Sequence, residues 1–149
     1  MVQIVVADSL YDIEPVTTQT EVKPGWKIVD YQLPDKALRY LWGKHSRQPI
    51  DGGTPTFIIH PVDCKLFDFV VLKLKEKKQY RRFPSVNIYK CEINRIDLDF
   101  AKIELIGEEH FRVSPIKPLL PGEYILLNTS AKPVNDLGDV EVYPFTITK

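Results

Sequence analysis

Apolar and polar residues alternate with a period of two through much of the chain, the spacing that puts every second side chain on one face of a strand. Val70, Leu72 and Leu74 fall on one face and Val71, Lys73 and Lys75 on the other, so residues 70–75 read as a strand with one dry face. Glu76 to Gln79 follow as a hairpin tip or loop. Ile96, Leu98 and Phe100 alternate with Asp97 and Asp99, after which the apolar phase jumps to Ile103 and Leu105. A β-bulge near Ala101 would return both halves to one core. Phe111 and Val113 predict a short strand before Pro115. Tyr124 and Leu126 alternate with Ile125 and Leu127, apolar on both faces, as in a central strand. The last strand, Val140 to Ile147, places Tyr143, Phe145 and Ile147 together.

Upstream, Trp26 to Tyr31 and Thr56 to Ile59 read as strands. Residues 35–42 fit two patterns. Asp35 can cap a helix with Leu38, Leu41 and Trp42 inward and Gly43 at its end, whereas Leu38, Tyr40 and Trp42 alternate as in a strand. The strand is the preferred reading, with a turn at Gly43 to Ser46. Residues 8–25, rich in Thr and holding two prolines, read as an irregular arm or an edge segment. No boundary or internal repeat divides residues 1–149, so the chain is expected to be one domain.

Leu119, Pro121, Gly122 and Tyr124 spell the L-x-P-G-x-Y pattern of a tyrosine corner. Pro121 suits the second position of a type II turn, Gly122 the positive φ of the third, and the Tyr124 hydroxyl is expected to return to backbone a few residues upstream. The fold class that follows is all-β: a single Greek-key, immunoglobulin-like β-sandwich of about eight or nine strands with at most one short helix. Leu126 stands where antibody domains carry the second Cys of their inter-sheet disulfide, so the antibody subtype is excluded.

Composition agrees. Twelve prolines and seven glycines leave little room for a long helix, and 44% hydrophobic residues in 149 suffice for a core without a staple. Twenty basic residues cancel twenty acidic ones, against the basic excess of a dedicated nucleic-acid binder. The N-terminus lacks a charged n-region and no later run reaches the length of a membrane span. A cytoplasmic protein is therefore expected, or a periplasmic or cell-surface one if a leader has been removed. Cys64 and Cys91 lack C-x-x-C spacing and read as buried thiols, with a disulfide as the alternative in an oxidising compartment.

An ordered set of segments extends beyond the corner. Thr54 to Ile59, Phe69 to Lys78 with Arg81 and Arg82, Pro118 to Tyr124, and Val142-Tyr143-Pro144-Phe145 together resemble a group of small bacterial proteins without an assigned activity, seen notably in gut Bacteroidales. The resemblance covers about residues 50–147. It implies a β-sandwich and brings no activity, and an export or lipoprotein leader in many members implies a non-cytoplasmic home.

Signals for chemistry are sparse. His45, His60 and His110 are far apart and form no metal-ligand spacing; a strand-end position explains His60 and a solvated turn beside Glu108 and Glu109 explains His110. Asp97 and Asp99 share a strand face, where paired carboxylates serve acid–base work or a hard cation, or simply face water. Asp51-Gly52-Gly53 reads as a hairpin turn, since it lacks the Lys and Ser/Thr of a P-loop. Asn128-Thr129-Ser130 matches a glycosylation sequon of little weight. The strongest candidate is the run Lys73, Lys75, Lys77, Lys78, Arg81 and Arg82, offset only by Glu76, with Tyr80 and Phe83 interleaved. It can serve as a patch for an anionic partner, or as a charged hairpin that keeps a sheet edge from pairing.

The reading that results is a non-enzymatic protein-interaction or structural module with no cofactor or metal, as monomer or homodimer, bound to an unknown protein or glycan partner. The alternative is a carbohydrate-binding module in which Trp26, Trp42, Tyr80 or Tyr89 stacks on sugar rings. A small hydrolase using His110 with Asp97, Asp99 or Glu109 is the third.

Overall fold

The computed structural model describes residues 2–6, 9–23, 25, 27–28, 31–32, 36–46, 49–50, 55–60, 68–83, 95–97, 101–105, 110–115 and 118–148. Among them the chain is all-β, with seventeen strands and no α-helix, and no helix is long and apolar enough to cross a membrane.

The middle sheet organises the rest. Its order is β13 (Arg95–Asp97), β10 (Phe69–Lys73), β16 (Gly122–Asn128), β17 (Glu141–Ile147) and β3 (Val16–Thr17). The parallel pair Thr146↔Pro49 and Ile147↔Ile50 adds β8 (Pro49–Ile50) to the same side of β17 as β3. Pro144, without an N–H to donate, occupies the gap between these two pairings. Strand β16 is central, as its two apolar faces predict.

Each face of this sheet has its own core. Phe69 and Val71 of β10, Tyr124 and Leu126 of β16, and Phe145 and Ile147 of β17 pack against Val2, Ile4, Phe57, Ile59 and Val113. Those partners come from a second sheet, ordered β14 (Ala101–Leu105), β15 (Phe111–Pro115), β9 (Thr56–Ile59), β1 (Val2–Val6) and β2 (Ser9–Asp12). The intervening residues Val70, Leu72, Ile125, Leu127 and Val142 point the other way, onto Leu41 and Phe83. Leu41 belongs to a third sheet, β11 (Lys75–Glu76), β12 (Tyr80–Arg82), β7 (Lys36–Trp42) and β4 (Gln19–Lys23). Fully burying an aliphatic or aromatic side chain contributes about 1.5–3 kcal/mol, so the middle sheet is the largest single source of apolar burial. A small ribbon, β5 (Lys27–Ile28) with β6 (Tyr31–Gln32), completes the described strands.

Several expectations change in the folded chain. The strand over 69–73 is dry on both faces, because Val71 joins Phe69 in the first core while Val70 and Leu72 enter the second. The halves around Ala101 are not one bulged strand, because β13 belongs to the middle sheet and β14 to the second; residues 98–100 between them lie outside the described residues. Residues 36–42 are a strand, the preferred alternative. The expected arm at 8–25 supplies β2, β3 and β4, an edge strand for each of the three sheets. Its polar, non-alternating sequence fits edge strands, which have little buried surface to encode. The strand count rises above nine because the strands form three sheets and a ribbon, with five of the seventeen strands only two residues long.

The hydrogen bond of the corner forms as its residues predict, and the expected type II turn does not. The Tyr124 hydroxyl donates to the Leu120 carbonyl at 2.6 Å, Leu119 is buried in the first core, and burial pushes the phenol pKa up. Gly122 has φ 156°, a value that L side chains rarely adopt but far from the value near +80° of a type II turn. Its lack of a side chain matters for space: a Cβ there would stand 3.2 Å from Lys73 Cε. Tyr124→Phe should lower stability by about 0.5–1.5 kcal/mol, the net value of one hydrogen bond, read as a lower urea midpoint with unchanged slope; an unchanged midpoint would remove the corner's energetic role.

Candidate functional site

The inner face of the third sheet presents Arg39, Leu41 and Arg81. Arg81 is opposite Leu41 in the β12–β7 register, and alternation along β7 puts Arg39 on the same side. Leu41 enters the core, leaving two buried guanidinium groups around it, 4% exposed each. A buried charge must be paired and hydrogen-bonded, and each arginine meets a carboxylate in its own way.

Arg39 meets Asp139 in a closed cluster. Its Nε lies 3.5 Å from Asp139 Oδ1, which also accepts from the hydroxyls of Thr18 and Thr20 at 2.8 and 2.7 Å. Asn135 Nδ2 donates to Oδ2 at 2.9 Å, and Arg39 Nη2 donates to the Leu137 carbonyl. Burial opposes the ionised form, but the hydrogen bonds from Asn135, Thr20 and Thr18 and the charge of Arg39 outweigh it, so the Asp139 pKa is lowered. Gly138 allows the close approach: it has φ 81°, and a Cβ would stand 3.2 Å from Arg39 Nη2. Every group here is committed to another, which describes a staple between β4, β7 and the β16–β17 loop.

Arg81 meets Glu123 in a more open arrangement. Glu123 is 1% exposed, although it sits in a strand whose following residues are apolar. Thr146 Oγ1 donates to its Oε1 at 2.7 Å, His45 Nδ1 stands 3.0 Å from its Oε2, and Arg81 Nη1 is 3.8 Å from Oε1. Arg81 Nε and Nη2 donate to the carbonyls of Gly43 and Trp42 at 3.2 and 3.0 Å. Nη1 is buried and makes no hydrogen bond. Burial lowers the Arg81 pKa while Glu123 opposes that shift. Ser46 Oγ is 2.8 Å from Thr146 Oγ1. Thr146 donates its proton to Glu123, which makes Ser46 the donor in its contact with Thr146. A cleft of about 390 Å³ opens beside the cluster, with Asp12, Glu14, Trp42, His45, Ser46 and Arg81 in its lining. Ligand atoms of His45, Glu76 and Glu123 all lie within 4.8 Å of one another, the one such group among the described residues.

The basic run divides. Lys75, Lys77, Lys78 and Arg82 are exposed along β11, the following tip and β12, with the tip closed by Lys77 N donating to Tyr80 O at 2.9 Å. Lys73 is half-buried, its Nζ 5.8 Å from the centre of the Tyr124 ring. Arg81 turns inward and lends its charge to Glu123. Strand β11 is the outer strand of its sheet, where lysines discourage pairing with another chain.

His60 and His110 come together, with ring centroids 4.1 Å apart and planes inclined at 43°. The register of β9 with β15 pairs Ile59 with Phe111 and so brings the two preceding and following positions side by side. Asn128 Oδ1 accepts from Ser130 N at 2.9 Å and Thr129 Oγ1 donates to Asp68 O at 2.7 Å, so the sequon is a satisfied turn. Asp97 lies on β13; Asp99, Glu108, Glu109, Cys64, Cys91, Asp51 to Gly53, Trp26 and Tyr89 lie outside the described residues. The chain matches no protein-family model, no curated protein and no solved structure.

Glu123 and Asp139 were not singled out from sequence. Glu123 carried a usable signal, as a charge heading the run Tyr-Ile-Leu-Leu in a strand apolar on both faces, where burial demands a partner. Arg81→Ala should cost about 3–5 kcal/mol by leaving the Glu123 charge buried without its arginine, whereas Lys77→Ala and Lys78→Ala should stay within about 0.5 kcal/mol, all read by urea denaturation. Equal small losses would mean that Arg81 is a surface charge after all. For Asp139 the folded pKa lies below the unfolded one, near 3.9, so its stabilisation is complete above that value and is lost as pH falls through the folded pKa. The deficit of Asp139→Asn at pH 7 should therefore shrink below about pH 4; a deficit constant down to pH 2 would assign it to shape and not charge.

Proposed function

We propose that this chain is a non-enzymatic interaction module on an immunoglobulin-like, Greek-key β-sandwich, which engages a protein partner through the outer face of its third sheet. The all-β layers and the Tyr124–Leu120 corner support the architecture. The observation that carries the function is Trp42, 59% exposed on a regular strand. Its ring meets Tyr40 edge to face at 5.2 Å, and Tyr40 in turn meets Tyr80 at 5.5 Å.

The register places Arg82 opposite Tyr40 and Lys75 opposite Arg82, so a row of aromatics borders a row of cations. Tryptophan, tyrosine and arginine supply most of the binding energy in protein interfaces, because they bury large area at little cost in rotamer freedom. Hydrogen-bonded neighbours on both sides hold β7, so the anchors are positioned before a partner arrives. The zero net charge leaves steering to local charge, with Lys75, Lys77, Lys78 and Arg82 favouring an acidic partner face.

Carbohydrate binding is the second reading, supported by Trp42 beside the polar cleft. The rings are inclined at 85° and 63°, which offers one stacking ring and no flat platform for several sugars. Affinity capture from the native cell and a glycan array, both run with wild type and Trp42→Ala, separate the two. A specific captured protein whose affinity falls at least about 30-fold in the variant, the cost of losing a hot spot, supports the protein reading. Trp42-dependent glycan signal without such a protein supports the sugar reading, and capture indifferent to Trp42 overturns both.

A further inference from the structure

We propose that His45, Glu76 and Glu123 form a binding site for a divalent transition-metal ion of the zinc type. The three come from separate places: His45 from the turn after β7, Glu76 from β11, and Glu123 from the start of the central strand β16. Glu76 is opposite Arg81 in the β11–β12 register and so shares the inward face of the sheet. That explains the single acid in a run of six cations: it is aimed at the cluster and not at the basic surface.

The donor geometry fits one ion. Donors held at about 2.0–2.2 Å from a metal stand about 3–4.4 Å apart, according to the angle between them. His45 Nδ1 and Glu123 Oε2 are already 3.0 Å apart, and all three donors lie within 4.8 Å. His45 and Glu76 are exposed, free to close the remaining few tenths of an ångström, while Glu123 is fixed by Thr146. An imidazole with two carboxylates selects zinc-like ions over magnesium and calcium, which favour all-oxygen shells with more ligands.

Arg81 gives an independent indication. Its side chain is 5% exposed, and Nη1 is aimed at Glu123 Oε1 from 3.8 Å without a hydrogen bond. A buried guanidinium N–H calls for an acceptor. A water or hydroxide in the ion's remaining position would supply it, in the manner of groups that surround metal ligands and tune them. The charge balance also favours a cation, since two carboxylates face one arginine in the cluster. Bound there, the ion would tie the 75–82 hairpin and the 43–46 turn to the end of the middle sheet. The site adjoins the outer aromatic face at Trp42, which lines the same cleft as His45 and Arg81, but takes none of its ligands from the aromatic rings.

Titration calorimetry of the full chain, stripped with EDTA and titrated with ZnCl2 or MgCl2 at pH 7.5, tests the assignment. One zinc per chain is expected, with no comparable magnesium binding. His45→Ala and Glu76→Gln should each weaken zinc at least tenfold, and Glu76→Gln, at an exposed position, should keep the wild-type unfolding midpoint in EDTA. Cobalt absorption of the wild type adds a readout that needs no variant, with nitrogen and oxygen ligation and no thiolate charge-transfer band. Absence of zinc binding, a loss below tenfold in either variant, equal magnesium affinity or a thiolate band from Cys64 or Cys91 overturns the proposal.

Discussion

The middle sheet is apolar on both faces, and that constraint sets what every other part of the chain must do. A sheet with one dry face needs one cover; this one needs two. Residues alternating along β10, β16 and β17 divide between two cores, so the second and third sheets are held by the same three strands from opposite sides. A substitution in those strands is therefore felt in a core whose identity depends only on parity. Val70 and Val71 are neighbours in sequence and belong to different interiors.

Burying charge beside the second core follows from the same arrangement. The third sheet is short and places two arginines inward around one leucine, so it covers the middle sheet with a mixed surface. Asp139 and Glu123 make that surface tolerable. The first pair is closed by hydroxyls, an amide and a carbonyl, and functions as structure. The second shares its carboxylate with an exposed histidine and borders a cleft, so its electrostatics remain open to solvent and to ligands. Buried ion pairs offset desolvation only when all their valences are met, and by that measure the two sites differ in kind despite similar burial.

How much of this was legible depended on whether a residue's neighbours lay in the chain or across it. The Tyr124 corner was readable because its bond spans four residues and its turn chemistry is local. The two faces of β16 were readable from alternation alone. The chemistry at Glu123 was not, since its partners Arg81, His45 and Thr146 reach it only through the packing of two sheets and the pairing of β16 with β17. The contact of His60 with His110 likewise appears only once β9 and β15 are in register. The run 73–82 misled at one position: composition counts Arg81 among six cations, while strand parity turns it from the surface toward the core. The phase jump near Ala101 had two physical causes available, a bulge or a change of sheet, and only the pairing of β13 and β14 with different neighbours distinguishes them.

The placement of residues 9–23 along the margins of three sheets bears on how the chain assembles. Thr18 N bonds to Val140 O, and the Thr18 hydroxyl bonds to Asp139, 121 positions later. Strand β3 also waits for residues 141–142. These segments thus acquire partners synthesised more than a hundred residues later, a topology of long loops that slows folding. During that interval the polar, irregular character of 9–23 has a use of its own: a waiting edge with little hydrophobic surface is a poor template for another unfinished chain.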